Sequence, residues 1–193
     1  YDLFEKIRKA IVNTSGSIDH LVKDAGMLAD SAEKGQLDFR ADINQHQGEF
    51  RNVIRGINAT LDNVVRPINV AAEYVDRIAK GDIPPKITDA YQGDFNSLIN
   101  NINTCIDAIS RLVGDTKMLA DSAAKGNLDL RADASKHGGD FRTIVSGINT
   151  TLDNVIGPLN MAAEYVDRIS KGDLPPKITD EYQGDFVQIK NNL

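Results

Sequence analysis

The sequence predicts an all-α fold in which long helices lie side by side as parallel coiled coils and are joined by extended connectors. Three features predict it. A repeat of 91 residues runs without a gap, apolar residues recur at steps of three and four, and glycine-bounded stretches of about 13 residues separate the helical runs. A period in this range is the mark of stacked supersecondary units rather than of one closed core.

The repeat carries Met27-Leu-Ala-Asp-Ser-Ala onto Met118-Leu-Ala-Asp-Ser-Ala, and Ala71-Ala-Glu-Tyr-Val-Asp-Arg-Ile onto the same residues from Ala162. A weaker half-repeat lies inside it. Glycines fall at Gly35, Gly81, Gly126 and Gly172, spaced 46, 45 and 46. A Gly-acid-Phe triplet ends at Phe50, Phe95, Phe141 and Phe186. The unit is therefore about 45 residues, and two kinds alternate, a Met-type (Met27, Met118) and a Pro-type (Pro67, Pro158).

Helices are predicted at about 4–34, 49–80, 94–125 and 140–171, with a fifth from 185. From Ile54 the apolar series runs Ile57, Leu61, Val64, Ile68, Ala71, Val75, Ile78, a mean step of 3.5. Shifted by 91 it reads Val145, Ile148, Leu152, Val155, Leu159, Ala162, Val166, Ile169, and a similar series starts at Ile99. That step is the heptad signature of coiled-coil packing. Glu49, Asp94, Asp140 and Asp185 are expected to cap the helix starts, where a carboxylate satisfies orphan amides and opposes the dipole. The apolar phase runs straight through Pro67 and Pro158, so a kink at the helix junction is expected rather than a break.

The connectors, 35–48, 81–93, 126–139 and 172–184, exceed the roughly 2–8 residues usual in an antiparallel helical hairpin. Thirteen extended residues can travel about 40 Å, whereas a 15-residue half-helix is only about 22 Å long. A connector can therefore run back along one helix and start the next in the same direction. Gly81-x-Ile83-x-x-x-Ile87 and Gly172-x-Leu174-x-x-x-Ile178 offer two apolar anchors each, with Pro84, Lys86, Pro175 and Lys177 expected to stay wetter. Pro84-Pro85 and Pro175-Pro176 stiffen the path as polyproline turns. The other kind, Gly35-x-Leu37-x-Phe39-x-Ala41 and Gly126-x-Leu128-x-Leu130-x-Ala132, alternates as an extended segment does.

A half-helix ending in Gly, a connector of form Gly-x-apolar-x-x-x-apolar, then an acid opening a second parallel half-helix, resembles the HAMP domain. Pro67 to Ile83 and Pro158 to Leu174 look closest to the family pattern, whereas the Met-type connectors lack the prolines and carry Ala41 or Ala132 as second anchor. The whole chain resembles a tandem (poly-HAMP) region, most like those of methyl-accepting chemotaxis proteins and hybrid sensor histidine kinases. The resemblance implies units at 18–66, 67–108, 109–157 and 158–193, the last cut short, after a remnant at 1–17. It also implies a parallel homodimer of four-helix coiled coils, upstream sensor and downstream output domains, and signal relay rather than catalysis. Independently, one chain supplies only two helices per unit, and its Leu, Ile and Val stripes need a twofold partner to leave water.

Composition excludes other classes. Net charge is −6, which disfavours nucleic acid, and aromatics are 6% with no Trp. A single Cys points to a reducing, cytoplasmic compartment. No apolar run approaches the roughly 18 residues of a membrane span, and no signal peptide opens the chain. With Tyr1 in place of Met, the chain is expected to be a piece of something longer.

No catalytic constellation is visible, and neither metal nor cofactor is expected. His46 and His137 occupy equivalent connector positions and His20 a helix; without a further ligand at metal spacing, solvated surface histidines are the expectation. Lys34-Gly-Gln and Lys80-Gly-Asp lack the rest of a phosphate loop. Cys105 aligns with Thr14, Thr60 and Thr151 and reads as a small interior helix residue. Asn58, Asn103 and Asn149 fit either a buried polar register or a partly exposed flank. Two rival functions are open: a bundle that holds a ligand or haem, and a passive spacer.

Overall fold

The structure, a computed structural model, describes residues 2–193. Tyr1, the first residue of the expected remnant 1–17, lies outside them. Among the described residues there are five α-helices and no strand: α1 (Asp2–Glu33), α2 (Gly48–Ala79), α3 (Gly93–Ala124), α4 (Gly139–Ser170) and α5 (Phe186–Asn192). Two single 3₁₀ turns, Ile43–Gln45 and Ala134–Lys136, interrupt the Met-type connectors. The first four helices have 32 residues each, and α2 and α4 run unbroken through Pro67 and Pro158, both of which are buried.

The glycine after each long helix terminates it in the same way. Gly81 takes φ of 80°, a conformation only glycine adopts without strain, and the next amide, Asp82 N–H, donates back to the Arg77 carbonyl at 3.0 Å. Gly81 N–H donates to Ile78, completing a Schellman motif that satisfies carbonyls otherwise orphaned at a helix end. The same pair of bonds closes α1 at Gly35, α3 at Gly126 and α4 at Gly172.

The helix starts differ from expectation. Glu49 and Asp140 lie in the first turn, but the residues at the cap are Gln47 and Gly138, and neither cap makes a side-chain hydrogen bond. Asp94 also lies in the first turn of α3, whereas Asp185 does stand at the N-cap of α5, though without a side-chain cap bond. The glycine before each acid has φ of 51–57°. The acids act on the helix dipole instead.

The chain forms two compact parts, Tyr1–Ile102 and Asn103–Leu193. In the first, Leu28 of α1, Ala41 of the connector and Ile54 of α2 form a buried cluster, flanked by Leu21, Phe39, Ile43, Ile57 and Leu61. In the second, Leu119, Ala132 and Val145 form the equivalent cluster, with Leu112, Leu130, Ala134, Ile148 and Leu152 around it. Both clusters place a connector between two helices.

The buried face steps around α2 near its proline. Ile54 is fully buried, but beyond Leu61 the covered residues are Val65, Pro67 and Ala71, while Val64, Ile68 and Val75 keep 40–57% of their surface. In α4, likewise, Ile156 and Pro158 are buried and Val155, Leu159 and Val166 are exposed. Cys105 is exposed, as are the threonines it aligns with, contrary to the interior placement expected. It stands one residue ahead of buried Ile106, on the flank where the Thr60 and Thr151 hydroxyls donate back to the carbonyls of Gly56 and Gly147.

The Pro-type anchors also differ. Ile87 is 7% exposed and Pro84 is buried, whereas Ile83 is half-buried and Leu174 is 82% exposed. Pro175 and Ile178 are half-buried. A polyproline path has three residues per turn, so positions 84 and 87, or 175 and 178, share a face and positions four apart do not. Chemical denaturation should therefore separate two truncations. Ile87→Ala is expected to cost about 2–4 kcal/mol, and Leu174→Ala under about 0.5 kcal/mol. Equal costs would mean that the first anchor position packs on the bundle as firmly as the second.

Candidate functional site

The groups with chemical capacity gather along the Met-type connectors, and each has a counterpart 91 residues on. Ala41 is buried, and its backbone is gripped from both sides by Asn58 of α2. Ala41 N–H donates to Asn58 Oδ1 at 3.2 Å, and Asn58 Nδ2 donates to the Ala41 carbonyl at 2.8 Å. Asn149 holds Ala132 by the same pair, at 3.1 and 2.8 Å. The asparagine thus pairs as a neighbouring strand would. Of the two placements considered from sequence, the partly exposed flank fits these half-buried side chains, but their pairing with the connector backbone was not anticipated.

Arginines fasten the rest of each connector. Arg40 Nε donates to Asp62 Oδ1 of α2 at 2.8 Å, and its Nη1 donates to the carbonyls of Leu37 and Phe39. Arg51 of α2 donates to the His46 and Ile43 carbonyls. In the second part Arg131 reaches Asp153 of α4, and Arg142 of α4 reaches the His137 carbonyl.

These bonds also establish direction. Residues 40, 41 and 46 of the connector meet residues 62, 58 and 51 of α2, so the connector runs antiparallel to α2. It leaves α1 at its C-terminus and by His46 has come back to Asp24, so it runs antiparallel to α1 as well. The two helices are therefore parallel. The same order, 131, 132 and 137 against 153, 149 and 142, with His137 back at Asp115, makes α3 and α4 parallel within the second part.

His46 and His137 are not solvated. They are 2% and 4% exposed, and each Nε2 lies 2.7 Å from a carboxylate oxygen, of Asp24 on α1 and Asp115 on α3. A carboxylate only accepts, so Nε2 is the donor. The surface reading failed because the partner sits 22 residues earlier, on another element, where neither composition nor local spacing points to it. A local signal did exist for the 3₁₀ turns. Asp42 accepts from Asn44 N–H, and Asp133 from Ser135 N–H and its hydroxyl, so Asp-x-Asn and Asp-x-Ser mark Asx-type turns. The Ser135 hydroxyl, then its amide, hold the Asp133 carboxyl below the usual range.

At the Pro-type connectors Arg77 Nε donates to Asp82 Oδ2 at 2.6 Å, and Arg168 to Asp173 at 2.7 Å. The hydrogen bond lowers each carboxyl below its ordinary value and raises the arginine. Both pairs are largely in solvent, where such bridges add little stability. Tyr165 of α4 donates its hydroxyl to the Pro176 carbonyl at 3.1 Å.

Among the described residues no group of three or more His, Cys, Asp or Glu is placed to hold a metal ion. No described helix is long and apolar enough to cross a membrane. Side chains from two parallel helices converge on one extended strap and hold it between them.

Comparison with curated proteins and with solved structures returned no match. The HAMP domain matches residues 45–111 and 136–193, more than half of the chain. Each match begins near the end of a Met-type connector and takes in a Pro-type connector. HAMP domains are signal-relay modules of bacterial receptors. By these two tandem matches, and by parallel helices strapped by an extended connector, the chain belongs to the HAMP domain family.

Proposed function

We propose that the segment relays a conformational bias along a parallel homodimer in the cytoplasm, between a sensor and an output domain of a bacterial chemoreceptor or sensor kinase. Its units run 18–66, 67–108, 109–157 and 158–193, and 1–17 closes a preceding unit. Each unit takes the second half of one long helix, a connector and the first half of the next. The glycines Gly35, Gly81, Gly126 and Gly172 end the first helices, and Leu37, Ala41, Ile83, Ile87, Leu128, Ala132, Leu174 and Ile178 belong to the connectors.

The observation that carries this reading is continuity. α2 and α4 run without a break through Pro67 and Pro158, where this reading joins the second helix of one unit to the first helix of the next. A change of packing in one unit is then imposed on its neighbour as a rotation or shift of the same rod. The dimer is supported by the stripe that the protomer leaves uncovered, Val64, Ile68 and Val75 on α2 and Val155, Leu159 and Val166 on α4, each 40–57% exposed. A twofold partner presenting the same stripe would close a four-helix bundle.

The test is a pair of insertions between Arg66 and Pro67, in a chimera with a known sensor and kinase output. Seven residues restore the phase of the seam to within about 20°, whereas four force a stutter. Stimulus control is expected to survive the first and to be locked or inverted by the second, with both proteins remaining folded dimers in sedimentation. Equal control in both would leave only a spacer.

A further inference from the structure

The polar contacts of a Met-type connector are unevenly shared. Toward α2 the strap 34–47 is held by the double bond of Asn58 to Ala41, by Arg51 on two carbonyls and by the Arg40–Asp62 bridge. Toward α1, beyond the Schellman turn at its end, the side-chain bond among the described residues is His46 to Asp24. The rest of that contact is apolar, through Leu28 and its neighbours, and has no directional requirement. The second part repeats the pattern less sharply, with Asn149, Arg142 and Arg131 toward α4 and His137 to Asp115 toward α3, where Arg111 adds one bond to the Lys136 carbonyl beside the histidine and the Ser122 hydroxyl one to the Asn127 carbonyl at the helix end.

The connector is thus carried mainly by the second helix of the unit, and the bond to the first helix that is made by a buried side chain of the connector is the histidine's. Apolar knobs can slide or rotate past each other at modest cost, but a 2.7 Å bond between groups 1% and 16% exposed cannot follow a helix that shifts. Breaking it leaves the imidazole out of water without its partner, while the half-buried carboxylate regains only part of its hydration. The pairing is also particular to one kind of unit. By the 45- and 46-residue offsets, His46 and Asp24 correspond to Tyr91 and Val70 in the next unit, and His137 and Asp115 to Tyr182 and Met161, which supply no such pair.

We propose that His46–Asp24 and His137–Asp115 are latches that hold the first helix of each Met-type unit in register with the connector and second helix, and that release when the first helix moves. The role in signalling rests on the relay reading above; the mechanical asymmetry does not, so the two are tested apart.

The mechanical arm uses the segment itself, in a Cys105→Ser background, with spin labels at Asn44 and Lys23 (connector to α1) or at Asn44 and Arg55 (connector to α2). Asp24→Ala is expected to broaden the first distance distribution and leave the second unchanged, and Asp24→Asn, which keeps an acceptor, to broaden it less. Equal broadening of both, or of neither, overturns the latch whatever the segment's function.

The signalling arm uses the chimera. A short, reducible bifunctional thiol reagent joins Asp24→Cys to His46→Cys, or, as the control between connector and α2, Asp38→Cys to Arg66→Cys, two exposed residues that line one groove. The first crosslink is expected to hold kinase output at one level regardless of stimulus until reduced, and the second to leave the response intact. Without crosslinker, Asp24→Ala is expected to move the half-maximal stimulus by about fivefold or more. A full response with the 24–46 crosslink in place, or equal loss with both, overturns the signalling role while the relay stands. A chimera that fails to respond before any crosslinking counts against the relay, and the distance measurement then judges the latch alone.

Discussion

Ile54→Ala is expected to lower the stability of the chain by about 2–5 kcal/mol, and Ile54→Val by about 0.5–1.5 kcal/mol. Ile54 is fully buried where α1, the connector and α2 meet, against Leu28 and Ala41. Truncation loses the transfer energy of three carbons and leaves a void between elements that cannot close up, because Asn58 and Arg51 fix the strap on either side. The check is denaturant unfolding at one fixed protein concentration, since an oligomer's stability depends on concentration. The midpoint should fall with little change in slope. A loss below about 1 kcal/mol for the alanine variant would mean that the site collapses, and hence that the connector is not firmly seated.

Asn58→Ala is expected to cost about 2–4 kcal/mol, although Asn58 itself is only half-buried. The cost arises from the other side of the bond. Ala41 is 6% exposed, so its amide and carbonyl have no water to turn to once the carboxamide is gone. Asn58→Asp is the informative companion. It keeps the acceptor for Ala41 N–H but places a second oxygen where the carbonyl needs a donor, so it should recover less than half of the loss. Full recovery with aspartate, or a loss of a few tenths of a kcal/mol with alanine, would show that Asn58 is a surface residue and its bonds are incidental. Asn149 repeats the geometry on Ala132, and its variants should behave alike.

Both sites show what could and could not be anticipated. The helix spans were legible to within two residues at each end for the four long helices, because heptad spacing and the terminating glycines are local properties. Gly35, Gly81, Gly126 and Gly172 announce the Schellman turns, since only glycine adopts their positive φ without strain. Connector length alone argued for parallel helices, and the bond order along the strap runs the same way.

What a side chain does on arrival was a different matter. Asn58 and His46 look like any polar residue on a flank, yet one closes the backbone of a segment 17 residues away and the other meets a carboxylate 22 residues back. Val64 and Val65 are equally apolar, and the neighbour in space, not the heptad, decides that the second is covered within the protomer. Cys105 and Leu174 face outward because a helix flank and a threefold polyproline turn point them there. Sequence by itself determined the helices, their ends and the alternation of two unit kinds, since each depends on backbone preference and period within a few residues. Tertiary structure alone decided which polar groups are paired, because a buried hydrogen bond is a property of two elements brought together, and the penalty for leaving either half unpaired exists only after both have left water.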